Sequence, residues 1–191
     1  MFPALFFLSG PVFVTEANTN SSSIKAFNFK VTPGLKTRVD FWKKIYSQYT
    51  TSQVIIHDQN YLDTIYEVVN FSPKLSQRQK EKLVEKVKTK YKKVLRGLSR
   101  KAKKKNLNLT LEEKRISKLV KGNYLQAARN IRIQLGQKDR FRDGLQRSGK
   151  YMTEIRKIFR SYGLPSELTV LPHVESSFQL NAYSSAGAAG I

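Results

Sequence analysis

Gly163-Leu-Pro-Ser-Glu-Leu-Thr-Val-Leu-Pro-His-Val-Glu-Ser-Ser-Phe178, continuing from Gln179 to Ile191, is the stretch around which the chain is organised. Gly163-Leu-Pro165 ends one helical segment and opens the next. A single carboxylate, Glu175, follows Leu168, Val170, Leu171 and Val174 and precedes Phe178. A carboxyl group enclosed by apolar side chains is disfavoured as an anion. One that stays protonated near neutral pH can give its proton to a leaving oxygen. Behind it runs Ala182-Tyr-Ser-Ser-Ala-Gly-Ala-Ala-Gly190, whose small residues let another chain, such as a glycan, come close to the backbone. The combination points to acid catalysis on a sugar polymer.

Composition narrows the classes. The 191 residues suit one domain, or a domain with part of another. With 40% hydrophobic and 11% aromatic residues, general disorder is excluded. Lys and Arg number 35 against 14 Asp and Glu, a formal charge of +21. Such a field attracts polyanions: nucleic acid, anionic lipid or an acidic cell-wall polymer. The absence of cysteine excludes disulfides, thiolate metal sites, a cysteine nucleophile and a thioether-linked lipid anchor. Two separated histidines offer no recognisable ligand set, so no metal and no cofactor are expected.

Residues 1–17 are apolar but short and interrupted by Pro3, Gly10 and Pro11, which rules out a transmembrane helix there. They read either as a signal peptide with Thr15-Glu-Ala17 as its cleavage site or, since no Lys or Arg precedes Lys25, as an ordinary apolar arm. Residues 18–34 read as a linker and 35–150 as a helical region. Leu35, Val39, Trp42, Tyr46 and Tyr49 form one helical face, widened by Phe41 and Ile45. Such an aromatic stripe is expected to be core rather than a sugar-stacking surface. Gln53–His57 and Thr64–Asn70 are β-branched runs around a polar turn and predict a small hairpin. In that turn His57-Asp58 is expected to make a local hydrogen bond, not a catalytic pair.

Ser72-Pro73 is expected to start a long basic helix, with a break at Gly97. Between Lys74 and Lys105 there are fifteen Lys or Arg and two Glu, while the apolar residues keep helical spacing. This is either a solvated charged face or an electrostatic footprint for a polyanion. Thr110-Leu-Glu-Glu113 is a capping box, and the apolar spacing from Ile116 to Ile131 predicts one helix ending at Gly136. Gln137 to Gly149 reads as a polar connection, with Arg140, Arg142 and Arg147 in a surface ion-pair cluster with Asp139 and Asp143. A further helix is expected from Tyr151 to Arg160. The fold class is thus mainly α, with one hairpin.

Arg129 to Gly149, Gly163-Leu-Pro165, Leu171-Pro-His-Val-Glu-Ser-Ser-Phe178 and Ala182-Tyr-Ser-Ser-Ala-Gly-Ala-Ala-Gly-Ile191 carry a resemblance. They resemble the lytic murein transglycosylases around the membrane-bound form D, in the soluble-lytic-transglycosylase family with its goose-lysozyme-like fold. The likeness is strong after Arg129 and loose back to Val39. It implies that 151–191 is the N-terminal part of a lysozyme-like catalytic domain. It also implies cleavage of the β-1,4 bond between N-acetylmuramic acid and N-acetylglucosamine, leaving a 1,6-anhydromuramic end. Glu175 matches the family's catalytic glutamate, Ser176 the residue beside it that supports it, and Ser184 a glycan-contacting serine. His173 is expected to be structural.

Relatives continue into Trp-Gln-Phe and Ala-Tyr-Asn segments that build most of the glycan groove. The resemblance therefore implies a fragment, inactive alone. Peptidoglycan strands are the expected partner, with an anionic envelope surface as a second one. Neither nucleic acid nor a transmembrane span is expected, and the location is the periplasm or cell envelope. Two alternatives stay open: a basic helical module that binds nucleic acid or an anionic envelope surface, and a hydrolytic lysozyme.

Overall fold

The β-branched run Gln53–Asp58 is the central strand of the fold in the computed structural model, which describes residues 30–104, 108–121 and 123–179. This strand, β1, is buried at every position after the first. It pairs antiparallel with β2, Ile65–Asn70, as the hairpin reading required, with Val54 opposite Val69 and Ile55 opposite Val68. A strand the sequence reading missed flanks its other edge. This is β3, Ile131–Leu135, also antiparallel, with Ile55 opposite Gln134 and Asp58 opposite Ile131.

A central strand must be apolar on both faces, and β1 satisfies both. Val54 and Ile56 join Val84, Val87, Tyr91, Leu95 and Ile116 on one side of the sheet. Ile55 joins Phe41 and Ile45 on the other. Helix α1, Pro33–Ser47, covers the second face. The long helix α2, Gln77–Lys103, covers the first, with α3, Leu111–Leu119, and α4, Tyr124–Asn130, beside it. The described residues are mainly α-helical, as expected, around this three-stranded antiparallel sheet.

Several boundaries differ from the sequence expectation. Helix α2 starts at Ser76 rather than Ser72, because Ser76 and Gln79 satisfy each other's backbone N–H groups in a capping box. It continues through Gly97, where a Cβ would meet Glu113 Oε1 at 3.6 Å. The single helix expected from the capping box at Thr110 to Gly136 is two helices and a strand. Thr110 and Glu113 form the expected box, but Val120 is extended and ends α3. Asn123 then caps α4 by accepting from the N–H groups of Leu125 and Gln126. The polar connection after Gly136 is instead helix α5, Lys138–Ser148. The last expected helix is α6, Met152–Ser161.

Polar contacts join the layers. Tyr91 Oη donates to Glu67 Oε2 at 2.7 Å, and Arg115 Nη2 donates to Tyr91 Oη at 2.9 Å and to the Tyr66 carbonyl at 3.0 Å. Burial, and then the bond to Glu67, push the Tyr91 phenol up to about 12. Hydrogen bonding from Arg115 holds the Glu112 carboxyl down at about 2. Asp58 makes the expected turn bonds, its Oδ1 accepting from Asn60 N at 2.8 Å and Tyr61 N at 3.1 Å. His57 Nδ1–H donates to the Asp58 carbonyl at 2.9 Å, a local hydrogen bond as expected.

Candidate active site

Helix α7, Leu171–Glu175, follows a 3₁₀ turn over Ser166–Val170, and Glu175 is its last residue. Glu175 is exposed. The residues expected to enclose it do not do so: Val170, Leu171 and Val174 are 53%, 49% and 46% exposed. Among the described residues its carboxylate has no ion pair. Helix C-termini favour cations, so this position gives a carboxylate no local stabilisation.

The turn after Glu175 is fixed tightly. Ser177 and Phe178 both have positive φ, 52° and 56°, in the left-handed region. Arg147 of α5 holds this turn by donating from Nε and Nη2 to the Ser177 carbonyl at 3.0 and 2.8 Å. Gly144 allows α5 to approach. A Cβ there would lie 3.0 Å from Ser177 Cβ and 3.1 Å from its Cα. Phe178 is buried, edge-on to His173 with centroids 4.7 Å apart, and stacked on Tyr151 at 6.0 Å. His173 is buried too, its Nδ1–H bonded to the Val170 carbonyl at 3.2 Å, which agrees with a structural role.

The expected ion-pair cluster of α5 is therefore mostly something else. Arg142 and Asp143 pair at 3.4 Å. Arg147 serves the Glu175 turn, and Asp139 binds the Thr51 N–H at 2.9 Å and the Thr51 hydroxyl. Ser176 lies buried under the turn with its hydroxyl 3.4 Å from the Pro172 carbonyl. Ser184 and the small-residue segment lie outside the described residues.

Beside α7 the aromatic stripe expected to be core is only partly so, with Tyr49 packed against Phe41, Ile45 and Ile55. Phe41 and Ile45 are the buried residues of that helix, while Leu35 and Trp42 are 51% and 43% exposed. Leu35, Trp42 and Tyr46 line a groove of about 990 Å³ with Phe141, His173 and Val174. Rings follow one another along it: Trp42 to Tyr46 at 6.1 Å, Tyr46 to Phe141 at 5.4 Å and Phe141 to His173 at 6.1 Å. Tyr46 links groove and carboxylate, since burial raises its phenol pKa first and the negative charge of Glu175 raises it further.

Sequence reasoning singled out Glu175 but did not connect Tyr46 with it, or Gly144 and Arg147 with the turn that follows it. The signal for the last two was present: Phe141, Gly144, Leu145 and Ser148 repeat at helical spacing inside a highly charged run. Among the described residues no group of three or more His, Asp or Glu could hold a metal. No protein-family model, curated protein or solved structure matches this chain.

Proposed function

We propose that this chain carries the catalytic carboxylate of a lytic murein transglycosylase. The observation that carries the reading is Glu175 itself: solvent-exposed, without an ion pair among the described residues, and set on a clamped turn beside an aromatic-lined groove. In the proposed reaction bound glycan supplies the cover that Val170, Leu171 and Val174 do not, and the Glu175 carboxyl, protonated under that cover, gives its proton to the glycosidic oxygen as the bond from that oxygen to the muramic anomeric carbon breaks. The resulting carboxylate then takes the proton of the muramic 6-hydroxyl as that oxygen bonds to the same carbon. No water is consumed, and one group fills both acid and base roles. Ring faces such as Trp42 and Tyr46 offer flat apolar surfaces to the sugars.

The test uses the gene's full-length product and its Glu175→Gln variant, acting on peptidoglycan sacculi. Release of 1,6-anhydromuropeptides is followed by chromatography with mass detection. Positioned acid–base catalysis contributes about 10²–10⁴-fold, so the variant should lose at least that order of rate while staying folded. Near-parental release by the variant would remove Glu175 from the mechanism. Reducing ends in place of anhydro ends would make the enzyme a hydrolase.

A further inference from the structure

We infer that the outward face of α2 docks on an anionic lipid bilayer and is held there by headgroup charge alone. Lys82, Lys86, Lys93, Arg96, Arg100 and Lys104 are all exposed and follow one another along the outer side of the helix. At 1.5 Å per residue the row is about 33 Å long. None of the six is in an ion pair among the described residues. The two carboxylates of α2 do not neutralise the row: Glu85 pairs with Lys88 at 2.9 Å, and Glu81, which accepts from the neutral Gln77 amide at 2.9 Å, is one charge against six cations. Lys101 is excluded from it, being committed to Glu113 at 2.6 Å and to the Asn108 carbonyl at 3.0 Å.

The remaining chemistry of the face selects the partner. The apolar side of α2 is already used against the sheet, and none of its large apolar side chains is exposed. The helix therefore cannot sink into the acyl region as an ordinary interfacial helix does. Its one aromatic residue, Tyr91, is buried, so no ring is available on which a nucleic-acid base could stack. A row on the convex side of a single helix has no walls to guide a thread-like polymer. It does fit a plane of charge, where clusters of Lys and Arg gain from the surface potential of anionic lipid. Val54 and Ile56 face α2 while Ile55 faces α1, and α7 lies on the α1 side through α5. A bilayer under α2 therefore leaves Glu175 on the far side of the sheet. The docking stands apart from the catalytic reading, and its test contains no glycan.

The experiment is co-sedimentation of the full chain with phosphatidylcholine vesicles, with and without phosphatidylglycerol. Binding is expected only with phosphatidylglycerol present. It should disappear near about 0.5 M salt, where the Debye length falls to about 4 Å. Each cation near such a surface changes partitioning about fivefold, so Lys82→Gln, Lys86→Gln, Lys93→Gln and Arg96→Gln together should weaken it about 10²–10³-fold. Gln keeps helix propensity, and circular dichroism checks that α2 stays folded. An equal charge loss elsewhere, by Lys43→Gln, Lys44→Gln, Lys138→Gln and Arg156→Gln, should cost less than about tenfold if α2 is the contact. Equal losses from the two sets would reduce the interaction to net charge and overturn the inference. Binding to neutral vesicles, or duplex DNA retained at salt that releases the vesicles, would overturn it as well.

Discussion

Replacing Arg147 by alanine removes both donors from the Ser177 carbonyl at once. A hydrogen bond from a charged group contributes about 1.5–3 kcal/mol net. The two here share one acceptor, and the site is half-buried, so water recovers part of the loss. The expected cost is about 2 kcal/mol. That clamp acts against strain, since each non-glycine residue in the left-handed region costs about 1–2 kcal/mol, and Ser177 and Phe178 are both there. Loss of the clamp should therefore open the turn locally before the sheet unfolds. The assay is hydrogen exchange of the Ser176 and Gln179 amides, which donate to the Pro172 and Ser176 carbonyls at 3.1 and 3.0 Å. A loss of about 2 kcal/mol corresponds to exchange about 30-fold faster at both. Amides of β1 should be unaffected. Arg147→Lys keeps one donor and should fall about halfway. Exchange within about twofold of the parent in Arg147→Ala would refute the claim that α5 holds the Glu175 turn.

Gly136→Ala should cost about 3 kcal/mol or more in denaturant unfolding, because its Cβ would overlap the backbone oxygens of Tyr49 and Thr50. Gly144→Ala gains about 1 kcal/mol of helix propensity but crowds Ser177 at 3.0–3.1 Å, so unfolding should show a net loss of about 1 kcal/mol. Gly149→Ala, with only Gln146 O at 3.6 Å, should show no such loss. Glu112, held down at about 2 from an ordinary 4.5, contributes stability that is fully present above pH 4.5 and is lost as pH falls through 2. Glu112→Gln should cost about 1 kcal/mol near neutrality after solvent screening, and the gap to the parent should close between those values in pH-dependent unfolding curves.

Much of this architecture was legible in the sequence, for physical reasons that can be named. The β-branched runs of β1 and β2 could not be mistaken, and the capping box at Thr110 fixed the start of α3. β3 was missed because Ile131, Ile133 and Leu135 alternate for only five residues. Its first residue also continues the helical spacing of the segment before it. The alternation with Arg132 and Gln134 was the competing signal, and Asn123 as a cap marked the break. α5 was missed because charge masked its inward residues. The stripe of α1 was assigned to the core as a whole, although only Phe41, Ile45 and Tyr49 belong there, for a different reason. Periodicity shows that a helix has an apolar face, but not whether that face meets the sheet. Phe41 and Ile45 take the sheet, so Trp42 and Tyr46 are left to the groove.

Glu175 could be picked out by residue type and context, but its support could not, because that support is mostly backbone. The turn Ser176-Ser-Phe178 contains no glycine, although two successive positive φ angles would ordinarily recruit one. Both side chains are in use. Ser177 Oγ donates to the His173 carbonyl at 3.2 Å, and Phe178 is buried against His173 and Tyr151. Burying a phenylalanine gives about 1.5–3 kcal/mol, comparable with the strain of its backbone. The turn therefore ends α7 at Glu175 and folds the chain back beneath it, with α5 as the brace. Glu175 is thus placed by its neighbours' backbone geometry, and among the described residues its carboxylate has no ion pair.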